Sequence, residues 1–238
     1  MRIALLGHGA MGRLVEERAR GEGHEIALVL TSRDAGREGL TDELRGLDAA
    51  IDFSVARAVA QNAGLCARAG VPLVIGTTGW REDEENVRRL FEESGGALVY
   101  GANFSVGVNL FYRVVERAAE LFKGFDAYSP FIEEAHHARK RDAPSGTALK
   151  LRDTLAARYE GDIPVVSTRA GHIPGTHRVG FDSAADQVLL THTARSREGF
   201  AAGALAAARW VQNRRGVYEF TEMIDEMLRA SLEEAKRT

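Results

Sequence analysis

Two adjacent histidines, His136 and His137, stand within about a dozen positions of Lys140, Asp142 and the turn Ser145-Gly146-Thr147. The run Phe131-Ile132-Glu133-Glu134-Ala135 before them reads as a strand, so the two imidazoles should point to opposite faces or splay at its end. Pro144 cannot continue a strand, and Ser145, Gly146 and Thr147 open a helical pattern that runs on from Ala148. A helix N-terminus presents free N–H groups and a positive dipole end, which suits a carboxylate or phosphate. With Lys140 and a histidine able to titrate near neutrality beside it, the segment is expected to be an anion-binding catalytic site. Lysine usage points the same way. Of 31 basic residues only four are lysines (Lys123, Lys140, Lys150 and Lys236), and Lys140 has arginine on both sides. A solvated loop would account for the charge run alone. A compact ammonium that can release a proton is a reason to prefer lysine there.

A second constellation lies at the head of the chain. Ile3–Leu6 reads as a buried strand, Gly7-His8-Gly9-Ala10-Met11-Gly12 follows at once, and Met11 to Arg20 is helical in pattern. Strand, G-x-G-x-x-G and helix in that order are the context a dinucleotide fingerprint requires. Gly7 allows the tight turn, Gly9 lets a pyrophosphate approach the backbone, and Gly12 lets helix and strand pack closely. The next strand, Glu25–Leu30, ends in Thr31-Ser32-Arg33-Asp34. An acidic residue at this point binds the ribose 2′-hydroxyl in NAD-selective enzymes. Here the hydroxyls of Thr31 and Ser32 and the cation of Arg33 suit a 2′-phosphate, which favours NADPH over NADH as cofactor.

The elements that position these groups alternate regularly in the first half. Strands are expected at 49–53, 72–75 and 97–100, helices at 56–69 and up to about Glu93, with Gly/Thr/Asn turns at the strand ends. That pattern is a doubly wound parallel sheet of Rossmann type. After an amphipathic helix from Val106 to about Phe122 the pattern changes. Strands over about 126–134, 163–169, 176–182 and 186–194 imply a C-terminal α+β domain with a mixed or antiparallel sheet. Helices are expected over Phe200 to about Gln212 and Tyr218 to Leu228. Glu233 to Arg237 reads as a solvated helix end.

Composition narrows the function. Net charge of −3 and a pI near 6.2 argue against a nucleic-acid or membrane-surface role. No apolar run approaches a membrane span. Arg2 to Leu6 runs straight into the glycine turn, so no secretory signal is read and a cytoplasmic protein is expected. The single cysteine, Cys66, is expected to be a buried inert thiol. His136 beside His137, and His172 five positions from His177, match no metal-ligand spacing, so no metal is expected. His192 is read as a hydrogen-bonded strand residue, and Ser145 lacks the elbow of a serine nucleophile.

The segment Glu134 to Ala148 resembles the E-x-H-H-x-x-K-x-D-A-P-S-G-T-A signature of the dihydrodipicolinate (4-hydroxy-tetrahydrodipicolinate) reductases. Gly76-Thr77-Thr78-Gly79, Ala102-Asn103-Phe104-Ser105-Val106-Gly107 and Ser196-Arg197 with Phe200-Ala201-x-Gly203-Ala204 are similar to three further family segments, in order. The resemblance implies NAD(P)H-dependent reduction of 4-hydroxy-tetrahydrodipicolinate in the diaminopimelate route to lysine. Hydride would go to C4 of the ring with loss of water. It makes His136 the proton donor or acceptor and Lys140 a second proton donor, with Lys140 expected to lower the His136 pKa. His137, Ser145, Gly146 and Thr147 would hold a carboxylate of a small dicarboxylate substrate. Gly76, Thr77, Thr78, Gly101, Ala102, Asn103 and Phe104 would line the nicotinamide; His8, from its place in the glycine loop, is expected over the cofactor phosphates or in solvent. By resemblance the dinucleotide-binding domain is 1–104 with 213–238, the substrate and oligomerisation domain is 105–212, and the assembly is a homotetramer. The compact stretch Arg169 to His177 departs from family members with an insertion there. An aspartate-type dehydrogenase and a non-catalytic NADPH sensor are the rival readings; the complete H-H-x-x-K and S-G-T signature argues against the first, and retention of His136 and Lys140 against the second.

Overall fold

The computed structural model describes residues 1–235, so Lys236 and Arg237 of the expected helix end lie outside the described residues. The chain forms two compact units, 1–106 with 197–238 and 107–196.

In the first unit β1 (Arg2–Leu6), β2 (Glu25–Leu30), β3 (Ala49–Asp52), β4 (Leu73–Ile75), β5 (Ala97–Tyr100) and a late strand, β10 (Gly216–Glu219), form one six-stranded sheet. Its order is β10-β5-β4-β3-β1-β2, and every pairing is parallel. The central strands are buried throughout, because helices cover both faces of a parallel sheet. One face packs against α1 (Ala10–Gly21), α7 (Glu198–Val211) and α8 (Phe220–Ala235), and the other against α2 (Leu40–Leu44), α3 (Val59–Ala69) and α4 (Glu84–Ser94). The turns after β1, β3, β4 and β5 all fall at the carboxyl edge of the sheet, where open α/β sheets bind ligands.

Three elements differ from expectation. α7 belongs to the first unit, not to the 105–212 segment. Its buried face is made of small residues, Ala201, Gly203, Ala204, Ala207 and Ala208. A side chain at position 203 would begin 1.7 Å from the Phe104 carbonyl oxygen, so glycine there permits this close seating. β10 was hidden because four residues lead directly into a helix, which places the start of α8 at Phe220. Cys66 is fully buried on α3, and burial pushes its thiol pKa up.

The second unit contains α5 (Val106–Phe122, whose first residue belongs to the other unit), β6 (Ser129–His136), α6 (Gly146–Ala156), β7 (Val165–Arg169), β8 (Thr176–Asp182) and β9 (Gln187–Thr193). Its four-stranded sheet has the order β7-β6-β8-β9. β6 and β7 are parallel, while β8 runs antiparallel to both β6 and β9. Ile132, Val179 and Phe181 form its core with residues of α5 and α6. His192 departs from its expected role: its ring tilts against Phe111 with centroids 5.9 Å apart, and Nδ1 has no hydrogen-bond partner.

Candidate active site

In the first unit the fingerprint forms a main-chain cradle. Gly7 has φ +95°, and a Cβ there would meet the Phe53 carbonyl oxygen at 2.5 Å. A Cβ on Gly12 would meet the Gly7 carbonyl at 2.2 Å, while nothing lies within 4 Å of where one would start on Gly9. Gly9 caps α1, and no acidic side chain stands in its first turn, so Ala10, Met11 and Gly12 present N–H groups to an approaching anion. A cavity of about 760 Å³ joins Gly7, His8 and Gly9 to Thr31, Ser32, Arg33 and Asp34. Arg57 also lines it; nothing in the sequence pattern had singled that residue out.

Details within the cradle qualify the sequence expectations. The Asp34 carboxylate accepts the Thr31 amide at 2.9 Å and the Thr31 hydroxyl at 3.1 Å, so both residues are tied into a capping box while Ser32 and Arg33 stand exposed. Those bonds, the amide first, hold the Asp34 carboxyl below its usual range. His8 lies 2.6 Å from the Glu16 carboxylate on α1. The Thr77 hydroxyl donates to the buried Asp52 carboxylate at 2.7 Å, and Ser54 and Asn62 donate to it as well. Asp52, at the end of β3, thus ties the turns after β3 and β4 to α3. Thr78, Gly101, Ala102 and Asn103 are exposed or half-buried, but the Phe104 ring turns into the core against Phe220, with centroids 4.5 Å apart.

In the second unit the site is made by side chains across three strands. Along β6 the alternate residues Ile132, Glu134 and His136 are buried, as strand periodicity requires. The register sets Glu134 opposite Ser167 on β7 and His177 on β8, and His136 opposite Arg169. Glu134 is the hub. Its Oε1 accepts from the Ser145 amide at 3.0 Å, the Ser167 hydroxyl at 2.7 Å and Arg169 Nη2 at 2.7 Å. Its Oε2 faces His136 Nδ1 at 3.3 Å and His177 Nε2 at 3.6 Å. Burial alone would push the Glu134 pKa up, but hydrogen bonds from Ser145, Ser167 and Arg169 hold it at about 2.

Ser145 joins the hub to α6. Its hydroxyl accepts from the Ala148 amide at 3.2 Å as the helix N-cap and lies 3.1 Å from His177 Nε2. Gly146 is exposed, with nothing within 4 Å of where a side chain would begin, so a ligand can reach the backbone there. The Thr147 side chain hydrogen-bonds Tyr112. Beyond the strand a turn closed by the Lys140 amide on the His137 carbonyl brings Lys140 round, its ammonium 2.9 Å from Asp142. His136 is buried and His137 half-buried. Burial is the main cause of the lowered His136 pKa; Glu134 opposes it, and Lys140 adds a smaller lowering, in the direction expected. His177 is brought down to about 4, again chiefly by burial.

The structure therefore gathers His136, Lys140 and Ser145 around a hub that the sequence did not reveal. Donor atoms of Glu134, His136 and His177 lie within 4.8 Å of one another, a grouping that neither His136–His137 nor His172–His177 had suggested. Glu134 Oε1 is paired with the Arg169 guanidinium at 2.7 Å, while Glu134 Oε2 and His136 Nδ1 have no hydrogen-bond partner.

Comparison with known proteins bears on both units. The family described as dihydrodipicolinate reductase, N-terminus, matches residues 1–104, and the one described as dihydrodipicolinate reductase, C-terminus, matches residues 107–224. The 4-hydroxy-tetrahydrodipicolinate reductase of Christiangramia forsetii is 36% identical, over 96% of this chain and all of that protein. The reductase of the same name from Archaeoglobus fulgidus is 35% identical, over 94% of this chain and all of its own length. Among solved structures, dipicolinate-bound dihydrodipicolinate reductase from Paenisporosarcina sp. TG-14 shares the fold, with a TM-score of 0.78 and 23% identity over 93% of this chain and 98% of that one. With both halves matched in order, and full-length relatives above a third identical, the chain belongs to the dihydrodipicolinate reductase family.

Proposed function

We propose that this protein catalyses the NAD(P)H-dependent reduction of 4-hydroxy-tetrahydrodipicolinate to tetrahydrodipicolinate, in the diaminopimelate branch of lysine biosynthesis. The observation that carries the reading is the Glu134–His136–Lys140–Ser145 constellation, in which titratable groups stand beside an open helix N-terminus. When bound, the nicotinamide supplies the hydride. The glycine cradle of Gly7 to Gly12 fits its pyrophosphate, because the backbone at Gly9 is unobstructed.

The remaining roles fall to side chains of this chain. The free N–H groups at Gly146 and Thr147 bind and orient one substrate carboxylate, with His137 beside them. A dicarboxylate is supported by the dipicolinate held in the Paenisporosarcina structure. His136 transfers a proton at Nε2, and Lys140 leaves Asp142 to deliver a second. Gly76, Thr77, Thr78 and the backbone of Gly101 to Phe104 border the nicotinamide, with Thr77 held in place by Asp52. NADPH is the preferred cofactor: Arg33 and Arg57 both line the cavity, whereas the Asp34 carboxylate is occupied by Thr31. The first unit is the dinucleotide-binding domain. The second binds substrate and joins copies into a homotetramer, to which the exposed Val166, Val188 and Leu189 of its sheet are suited. None of the described helices is long and apolar enough to cross a membrane.

The test is to form the substrate in situ from pyruvate and aspartate semialdehyde with the preceding synthase and follow oxidation of NADPH and NADH. Substrate-dependent oxidation, faster with NADPH, is expected. Tight cofactor binding without turnover would leave the sensor reading.

A further inference from the structure

We propose that Glu134 is a positioning residue for proton transfer at His136: it holds the imidazole as the Nδ1–H tautomer and so makes Nε2 the nitrogen that exchanges a proton with substrate. The inference rests on the reading of His136 as the proton-transferring group. Glu134 and His136 are two apart on β6, so both side chains leave the same face of the sheet. Glu134 Oε2 and His136 Nδ1 are 3.3 Å apart, and neither atom has a hydrogen-bond partner elsewhere or a fully aligned bond to the other. Both residues are buried, at 2% and 7% exposure, so bulk water does not compete for either atom. Pairing them satisfies two buried polar atoms at once, which leaving both unpaired would not.

The carboxylate cannot swing away. Its other oxygen is held by the Ser145 amide at the head of α6 and by the Ser167 hydroxyl and the Arg169 guanidinium of β7. The one competing donor is His177 Nε2, 3.6 Å from Oε2 and already 3.1 Å from the Ser145 hydroxyl. The groups that act on the imidazole are Glu134 on its own strand, Lys140 and Asp142 from the following turn, Arg169 on β7 and His177 on β8. Of these, only Glu134 offers Nδ1 an acceptor at hydrogen-bond range. The opposite edge of the ring is kept clear in a specific way. Gly175 lies against it, and a Cβ at that position would begin 3.2 Å from Nε2. Which ring nitrogen carries the proton is set by the hydrogen bond the other makes. Nδ1 is committed to Glu134, leaving Nε2 for chemistry.

The deciding measurement is the ¹⁵N chemical shift pattern of the His136 ring in the native protein above its titration, assigned by its disappearance in His136→Gln. The Nδ1–H pattern is expected; an Nε2–H pattern overturns the proposal. Glu134→Gln gives the kinetic arm: turnover should fall by about a hundredfold, with KM for the nicotinamide cofactor unchanged and the pH limb belonging to His136 moved to lower pH. Unchanged turnover in Glu134→Gln, with His136→Gln inactive, refutes the positioning role alone. Full turnover in His136→Gln refutes the catalytic reading and leaves the tautomer measurement standing. If Glu134→Gln does not fold, the tautomer in the native protein decides.

Discussion

The two candidate sites are built from different materials. In the first unit the cradle is main chain: glycines that leave room, amides at the head of α1, and a turn closed by its own capping box. In the second unit the site is side chain: one carboxylate gathers groups from β7, β8 and the head of α6. A backbone site is damaged by adding atoms, and a side-chain site by exchanging them at constant size. Nucleotide binding and proton transfer should therefore fail under different substitutions.

That contrast is sharpest at His136. Exchange for glutamine preserves much of the volume and removes the titrating group, so kcat should drop by about 10²- to 10⁴-fold, while cofactor affinity measured by fluorescence titration stays unchanged. Comparable losses in both would join the two sites functionally and break the comparison. The converse change is Gly12→Ala. Its methyl would lie 2.2 Å from the Gly7 carbonyl, and relieving that clash costs about 1–3 kcal/mol. Cofactor KM should rise by roughly 5- to 150-fold, with residual turnover at saturating cofactor. A KM equal to that of the parent protein would show that α1 can shift without cost.

A more selective effect is expected at Arg33. Removing one charged hydrogen bond of about 1.5–3 kcal/mol in Arg33→Ala should weaken NADPH at least tenfold and leave NADH nearly untouched, as read from the ratio of kcat/KM values. Equal losses would assign Arg33 to the backbone cradle instead. The last effect concerns stability. The folded-state pKa of His177 lies near 4 against an ordinary 6.5, so the unfolded chain takes up a proton there first. The stability from keeping this imidazole neutral is fully present above about pH 6.5 and is lost as pH falls toward 4. The shift corresponds to about 3 kcal/mol, and His177→Gln should flatten the fall in Tm across that window. Glu134, with a pKa of about 2, adds a separate loss only below pH 4.5.

Legibility in the sequence follows the same division. The glycine loop is local: strand, turn and helix are contiguous, and their spacing alone predicts the geometry found. His136, Lys140 and Ser145 are likewise close in sequence, and their roles could be framed from one segment. The hub could not. Arg169 is 35 residues from Glu134, and His177 meets Ser145 across 32. Both meetings depend on the pairing register of β6 with its neighbours, which no periodicity states. Asp52 was legible only as the end of a strand, because its partners Asn62 and Thr77 come from later elements. The placement of α7 failed for a related reason. Small-residue periodicity identifies a helix that packs closely, but not the sheet it packs on.

That placement has a consequence for how the protein is made. The segment supplying α7, β10 and α8 follows the entire second unit in the chain. Until it leaves the ribosome, Ile3, Leu5, Ile51, Val74 and Val99 lack much of the covering for one face of their sheet. The nascent protein thus carries an unfinished apolar surface through the synthesis of about ninety residues at roughly 5–20 per second. For those seconds it is a natural client for chaperones, and a chain stalled near Ser196 should aggregate with its glycine loop already translated.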